Sequence, residues 1–163
     1  MAVTAQYASA CTVREVLEVN TASSPESGRT VTHSNFNTSL VLHASSTPPA
    51  TKVAAFEQAL TAGAATIDLT ALTGANGVAV DGTGLKVQVL KIRNPDDNDP
   101  VTVAVGASNG YELAGADFSV AIPGGGEFTF YGNDGAPDIG LGAKTLDLSG
   151  TGAEKVEVIV VMG

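Results

Sequence analysis

Asp96-Asp97-Asn98-Asp99, bracketed by Pro95 and Pro100, is the densest set of hard oxygen ligands in this 163-residue sequence. Carboxylates and an amide oxygen are the ligands calcium prefers, and a second set, Asn133-Asp134 with Asp138, follows downstream. Neither has the spaced ligands, central glycine and distal glutamate of an EF-hand loop. Asp96, Asp97 and Asp99 are therefore weak calcium candidates, with a solvated turn as the plainer reading. His33 and His43 are the only histidines, and no third ligand or nucleophile stands at motif spacing from either. A triad can converge from distant positions, but the nucleophile-elbow pattern is absent, so both histidines read as polar surface or hydrogen-bonded structural residues. Pro123-Gly124-Gly125-Gly126 runs into an aromatic strand instead of a helix and lacks a following Gly-Lys-Ser/Thr, which makes it a turn and not a phosphate loop. Phe128, Phe130 and Tyr131 could stack on a ligand. Alternation instead puts Phe128 and Phe130 together on the core face and Tyr131 on the other.

Composition narrows the chemistry further. Eight basic residues against seventeen acidic ones give a formal charge of −9, and the basic residues are scattered from Arg14 to Lys155. Direct nucleic-acid binding is disfavoured, because phosphate contacts need a concentrated basic surface. Cys11 is the one cysteine, which excludes an intrachain disulfide and a cysteine-based zinc site. It reads as a small buried or half-buried side chain, with an interchain bridge or reactive thiol as the alternative. No apolar run reaches the roughly 20 residues of a membrane helix. The first residues lack the basic and apolar regions of a signal peptide, so cytoplasmic synthesis is expected, with the sequon Asn37-Thr38-Ser39 unused. No catalytic residue and no cofactor is assigned.

The elements that would position these residues are strands. At this length about 70% of the unfolded chain's surface can be buried, and small or β-branched residues dominate while aromatics make up 5%, a composition suited to closely packed sheets. Thr12 to Val19 fits a strand better than a helix, with positions 13, 17 and 19 on one face. Asn20 to Gly28 is a polar loop, and Arg29 to His33 and Ser39 to His43 are strand candidates. Ser45-Ser46-Thr47-Pro48-Pro49 breaks the pattern. Val53 to Leu60 is Ala-rich and divides evenly between helix and strand. In Ala65 to Leu72, Ile67, Leu69 and Ala71 share a face.

From Gly84 the alternation is clearer. Leu85 to Arg93 alternates with a slip at Leu90, which predicts a bulge or a strand covered on both faces. The acidic turn then predicts Val101 to Val105 as its hairpin partner. Gly106 to Gly115 is a looser excursion. Phe118 to Ile122, Glu127 to Tyr131, Thr145 to Leu148 and Glu154 to Met162 complete the set, with Ser149 to Gly152 as a tight turn. Eight to ten strands at spacings of roughly 8–12 residues predict an all-β antiparallel two-sheet sandwich, jelly-roll-like, with a less regular N-terminal arm. The expected division is an arm or first strands over 1–45 and a body over 46–163, within what could equally be one domain over 1–163.

Three segments carry a family resemblance: Thr30-Val31-Thr32-His33-Ser34-Asn35-Phe36-Asn37-Thr38, Asp68-Leu69-Thr70-Ala71-Leu72-Thr73-Gly74 and Lys144-Thr145-Leu146-Asp147-Leu148-Ser149-Gly150. In style they resemble small β-sandwich structural proteins of tailed bacteriophage virions. The resemblance implies a non-enzymatic capsid decoration or cement protein, assembled in the host cytoplasm into the virion. Its implied partners are the major capsid protein or other virion proteins, and further copies of itself, a trimer by analogy with jelly-roll capsid proteins. The alternatives are a carbohydrate- or receptor-binding module of a tail or fibre, with Tyr111, Tyr131 and the Asp96 loop as its surface, and a main shell subunit. An enzyme is the third class.

Overall fold

A computed structural model of the protein describes residues 3–17, 29–33, 37–74 and 77–163. The ends of two expected features, the strand beyond Leu17 and the polar loop up to Gly28, lie outside the described residues, as do 34–36 within the first resembling segment. The chain divides into two compact units, Met1–Ala5 with Leu42–Gly163, and Gln6–Val41. Among the described residues every regular element is a strand. The N-terminal strands are β1 (Thr4–Ser9), β2 (Val13–Leu17), β3 (Arg29–His33) and β4 (Thr38–His43). β1 pairs with β4, and β2 pairs antiparallel with β3, from Val13 opposite His33 to Leu17 opposite Arg29.

The larger unit contains β5 (Lys52–Ala59), β6 (Ala64–Asp68), a short hairpin of β7 (Leu72–Thr73) and β8 (Ala79–Val80), then β9 (Val87–Arg93), β10 (Val101–Val105), β11 (Ser119–Ile122), β12 (Glu127–Tyr131), β13 (Thr145–Ser149) and β14 (Lys155–Met162). Its eight long strands form two four-stranded sheets, ordered β12-β9-β14-β5 and β11-β10-β13-β6. Counted one to eight along the chain, these orders are 6-3-8-1 and 5-4-7-2. That is the jelly-roll arrangement, in which the connections pass from sheet to sheet except between β10 and β11.

The inward side chains line up in rows across the sheets. In the first sheet Phe128, Ile92, Val158 and Phe56 are cross-strand neighbours, and so are Phe130, Leu90, Val160 and Ala54. In the second, Val120, Val103, Leu148 and Ala65 form one row. These residues are buried or packed against the buried cluster. The same rows explain why the Ala-rich stretch from Val53 is a strand: Ala54 and Phe56 complete them, and tertiary packing overrides a helix propensity that is strong only in isolation.

Several expectations are corrected. The acidic segment after Arg93 does not make a hairpin with Val101–Val105, because β9 pairs with β12 and β14 while β10 pairs with β11 and β13. The segment instead carries the chain between sheets, and Ser149 to Gly152 does the same between β13 and β14. The ladder irregularity falls two residues before Leu90: Val161 opposes Val89 and Met162 opposes Val87, leaving Gln88 as the extra residue. Ile67 and Leu69 are buried, but Ala71 is exposed. β6 ends at Asp68, whose carboxylate accepts the Thr70 amide at 2.9 Å and hydroxyl at 2.6 Å and turns the chain.

Candidate functional site

The acidic segment 94–100 is organised by its amides. Asn94 is fully buried. Its Nδ2 donates to the carbonyls of Asp99 (2.9 Å) and Ile122 (3.0 Å), and its Oδ1 accepts from Asn98 Nδ2 at 2.8 Å. Asn98 also donates to the Lys155 carbonyl at 2.7 Å, and the Asp99 amide donates to Glu154 Oε1 at 2.9 Å. The 123–126 turn joins the same knot: Asn94 donates its amide to Gly126 O and Gly125 donates to Pro95 O. Gly125 has φ of +75°, the left-handed region that favours glycine where this turn closes on the Asp96 side chain. Asp96, Asp97 and Asp99 are exposed around the knot. Glu154 Oε2 is buried with no partner among the described residues.

The second acidic set is held differently. Asp134 pairs with Lys86 at 3.1 Å, Asp138 is exposed, and Lys86 and Asp138 form an isolated antiparallel bridge. Among the described residues no three His, Cys, Asp or Glu side chains are grouped to hold a metal.

His43 is exposed in a local turn. Its Nδ1 accepts the Ser45 amide at 3.3 Å and stands 3.0 Å from Ser45 Oγ. Ser46 Oγ accepts the His43 amide at 2.9 Å and donates to its carbonyl at 2.7 Å. Ser45 thus contributes both its groups to a two-residue turn, and among the described residues no carboxylate is hydrogen-bonded to the ring to orient it as a base. His33 lies opposite Val13 in the β2–β3 ladder. Cys11 is exposed, contrary to the buried or half-buried position expected. Asn37 uses both ends of its side chain here: Oδ1 accepts the Cys11 amide at 2.8 Å and Nδ2 donates to Thr12 Oγ1 at 3.3 Å.

Of the two tyrosines expected to face a glycan, Tyr111 is fully buried. Its hydroxyl donates to the Pro137 carbonyl at 2.7 Å and accepts the Val87 amide at 3.1 Å. Loss of water around the phenol pushes its pKa up to about 12. Tyr131 is half-buried, its hydroxyl 3.1 Å from Asn133 Oδ1. Phe128 and Phe130 pack against the core, with Phe128 and Phe118 ring centroids 5.6 Å apart.

A cleft of about 300 Å³ lies where the outer strands of the two sheets approach, lined by Phe56, Gln58, Thr66, Asp68 and Leu72 among others. Among the residues lining this cleft, the Asp68 carboxyl has its pKa lowered from the ordinary value. Partial burial works to raise its pKa, but the Lys144 ammonium at 2.7 Å and the Thr70 hydroxyl and amide outweigh that and hold it below 3.8. Asp81 is also lowered, by the hydroxyl and then the amide of Thr83, in a repeat of the Asp-x-Thr turn. Neither turn was singled out as a site in the sequence. The spacing of Asp and Thr two residues apart was the available signal, and it marks a turn more often than a ligand site.

On the outer face of the first sheet, ion pairs link Lys91 to Glu127 (2.7 Å), Arg93 to Glu157 (3.3 Å) and Lys155 to Glu57 (3.2 Å). Exposed pairs of this kind contribute little stability each. They leave a mixed-charge surface beside the exposed apolar side chains of Val53 and Ile159. No protein-family model, no curated protein and no solved structure matches this chain.

Proposed function

We propose that this protein is a non-enzymatic structural subunit that attaches to a virus shell, of the tailed-bacteriophage kind that its sequence style resembles, and decorates or reinforces that shell. The observation that carries the reading is the jelly-roll strand order with apolar inward rows. Among the described residues of the larger unit, what is available to a partner then lies on outer sheet faces, strand edges and turns. The same architecture recurs in capsid, lectin and cupin proteins, so the support is an analogy at the level of fold. The net charge of −9 adds to it, since like charge limits nonspecific association before assembly. The glycan-binding alternative loses support with the burial of Tyr111. The partners proposed are the major capsid protein or another virion protein, and further copies of the chain.

Density-gradient purification of particles from cells that produce the protein tests this. The chain is expected to co-migrate with assembled particles in fixed stoichiometry. Recovery only in the slowly sedimenting fraction, while particles band free of it, would overturn the proposal.

A further inference from the structure

β5 is an outer strand, and along one of its edges it pairs with no strand among the described residues. Leu60 donates its amide to Glu154 O at 2.8 Å, in register with the β5–β14 ladder that sets Ala59 opposite Lys155 and Lys52 opposite Met162. Hydrogen-bonded pairs alternate along an antiparallel ladder. The backbone groups of Lys52, Ala54, Phe56 and Gln58 therefore face β14, and those of Val53, Ala55, Glu57 and Ala59 face outward. The four outward amides have no hydrogen-bond partner among the described residues. Only the Ala59 carbonyl is partly engaged, by Gln58 Nε2 at 3.0 Å. The other outer strands offer less. By the same alternation β12 has three outward residues, Glu127, Thr129 and Tyr131, and β11 has two, Ser119 and Ala121. On β6 the Ala64 groups are already bonded to Thr61, and the Asp68 carbonyl accepts the Ala71 amide.

We infer that β5 is the interface of a two-fold dimer, paired antiparallel with β5 of a second copy so that Val53 opposes Ala59 and Ala55 opposes Glu57. This register satisfies all four outward residues of each copy, with two hydrogen bonds per opposed pair. A shift of two residues in one direction sets Glu57 against Glu57 of the second copy, and like charges directly opposed are destabilising. A shift in the other sets Val53 against Glu57. Either shift loses one of the four pairs.

Side chains agree with the symmetric register. On the outer face Glu57 meets an alanine methyl while keeping Lys155 at 3.2 Å within its own copy. On the inner face Phe56 meets Phe56 of the second copy, an aromatic cross-strand pair of a stabilising kind. Phe56 is only half-buried in one copy and lines the cleft of about 300 Å³, so pairing covers an apolar surface that is otherwise wet. The contact is isologous and closed, and it joins the two β12-β9-β14-β5 sheets into one eight-stranded sheet. This dimer is independent of attachment to particles: a chain that fails to co-migrate with them can still form it.

Amide-resolved hydrogen exchange across a dilution series, alongside light scattering, reads the interface directly. The amides of Val53, Ala55, Glu57 and Ala59 are expected to be protected in the concentrated dimer and to lose protection on dilution, while those of Ala54, Phe56 and Gln58 stay protected throughout. Ala55→Pro leaves every bond to β14 in place but removes two hydrogen bonds per dimer, so its dissociation constant should rise about thirtyfold or more. Fast exchange of the four outward amides at every concentration, a trimeric mass, or unaltered dimerisation of a folded Ala55→Pro protein would overturn the inference. If Ala55→Pro does not fold, the exchange profile of the unmodified chain decides alone.

Discussion

Tyr111 and Val87 are joined across the core: the Val87 amide, at the start of β9, donates to the Tyr111 hydroxyl at 3.1 Å. Tyr111 belongs to the connection between β10 and β11, so this bond ties one sheet to the other. The hydroxyl in turn donates a hydrogen bond to the Pro137 carbonyl at 2.7 Å, which adds the loop after β12 to the same point. A residue that would suit a glycan platform on the surface is instead the polar pin of the sandwich.

Tyr111→Phe removes that pin while keeping the ring. It leaves a buried amide and a part-buried carbonyl without their partner, and should lower the unfolding free energy by about 1–3 kcal/mol. Denaturant titration measures it. Because the folded pKa is raised, to about 12 from 10.0, the contribution is complete below pH 10 and is lost as pH rises toward 12. The alkaline limb of the stability profile should therefore be shallower in Tyr111→Phe than in the unmodified chain.

Asn94→Ala should be more damaging than any substitution of Asp96, Asp97 or Asp99. Three side-chain hydrogen bonds depart from a fully buried position, and a loss of about 2–4 kcal/mol is expected. With the loop held by amides, neither calcium nor a chelator should move the thermal midpoint. A calcium-dependent rise in that midpoint, lost in Asp97→Asn, would instead support a metal site in the loop.

At low pH the ion pair between Asp68 and Lys144 sets the direction. The carboxyl is held below its ordinary 3.8, so its contribution is present above that value and lost as pH falls through the lowered folded pKa. Asp68→Asn should cost about 1 kcal/mol or less at neutral pH and flatten the acid limb. Acid unfolding followed by circular dichroism compares the two chains.

Gly63→Ala should also destabilise strongly. Gly63 has φ of +82°, and a Cβ would approach the Gly150 carbonyl oxygen to 2.5 Å. The turn before β6 and the turn after β13 are bonded reciprocally here, Gly150 N to Gly63 O and Gly63 N to Gly152 O, both at 2.7 Å. Strain from positive φ alone is of order 1–3 kcal/mol, and the clash adds to it. Thermal unfolding gives the shift.

Alternation in the sequence was enough to locate most strands of the larger unit, because residues such as Phe128 and Phe130, or Val156, Val158 and Val160, mark the buried face directly. It was not enough to pair them. Period two says which face a residue takes and nothing about which strand lies beside it, and the short polar segment after Arg93 fits a hairpin as well as a passage between sheets. What decides is Asn94, whose bond reaches Ile122, 28 positions away, and its partner Asn98, whose bond reaches Lys155, 57 positions away. Tyr111 was illegible for the same reason: its partners are backbone groups of distant residues, which carry no side-chain signature. Cys11 and Asn37 show the limit in the other direction, since a hydrogen bond between an exposed backbone amide and a sequon residue leaves no periodic trace.

We propose that outer faces and edges of the jelly roll, and no polar cluster among the described residues, make the functional contacts. A cryo-electron microscopy map of particles carrying the protein tests it most directly. Density is expected for the eight-stranded body, seated on the shell through a sheet face or strand edge. Particles without that density, or a body attached only through the 94–100 and 132–138 loops, would contradict it.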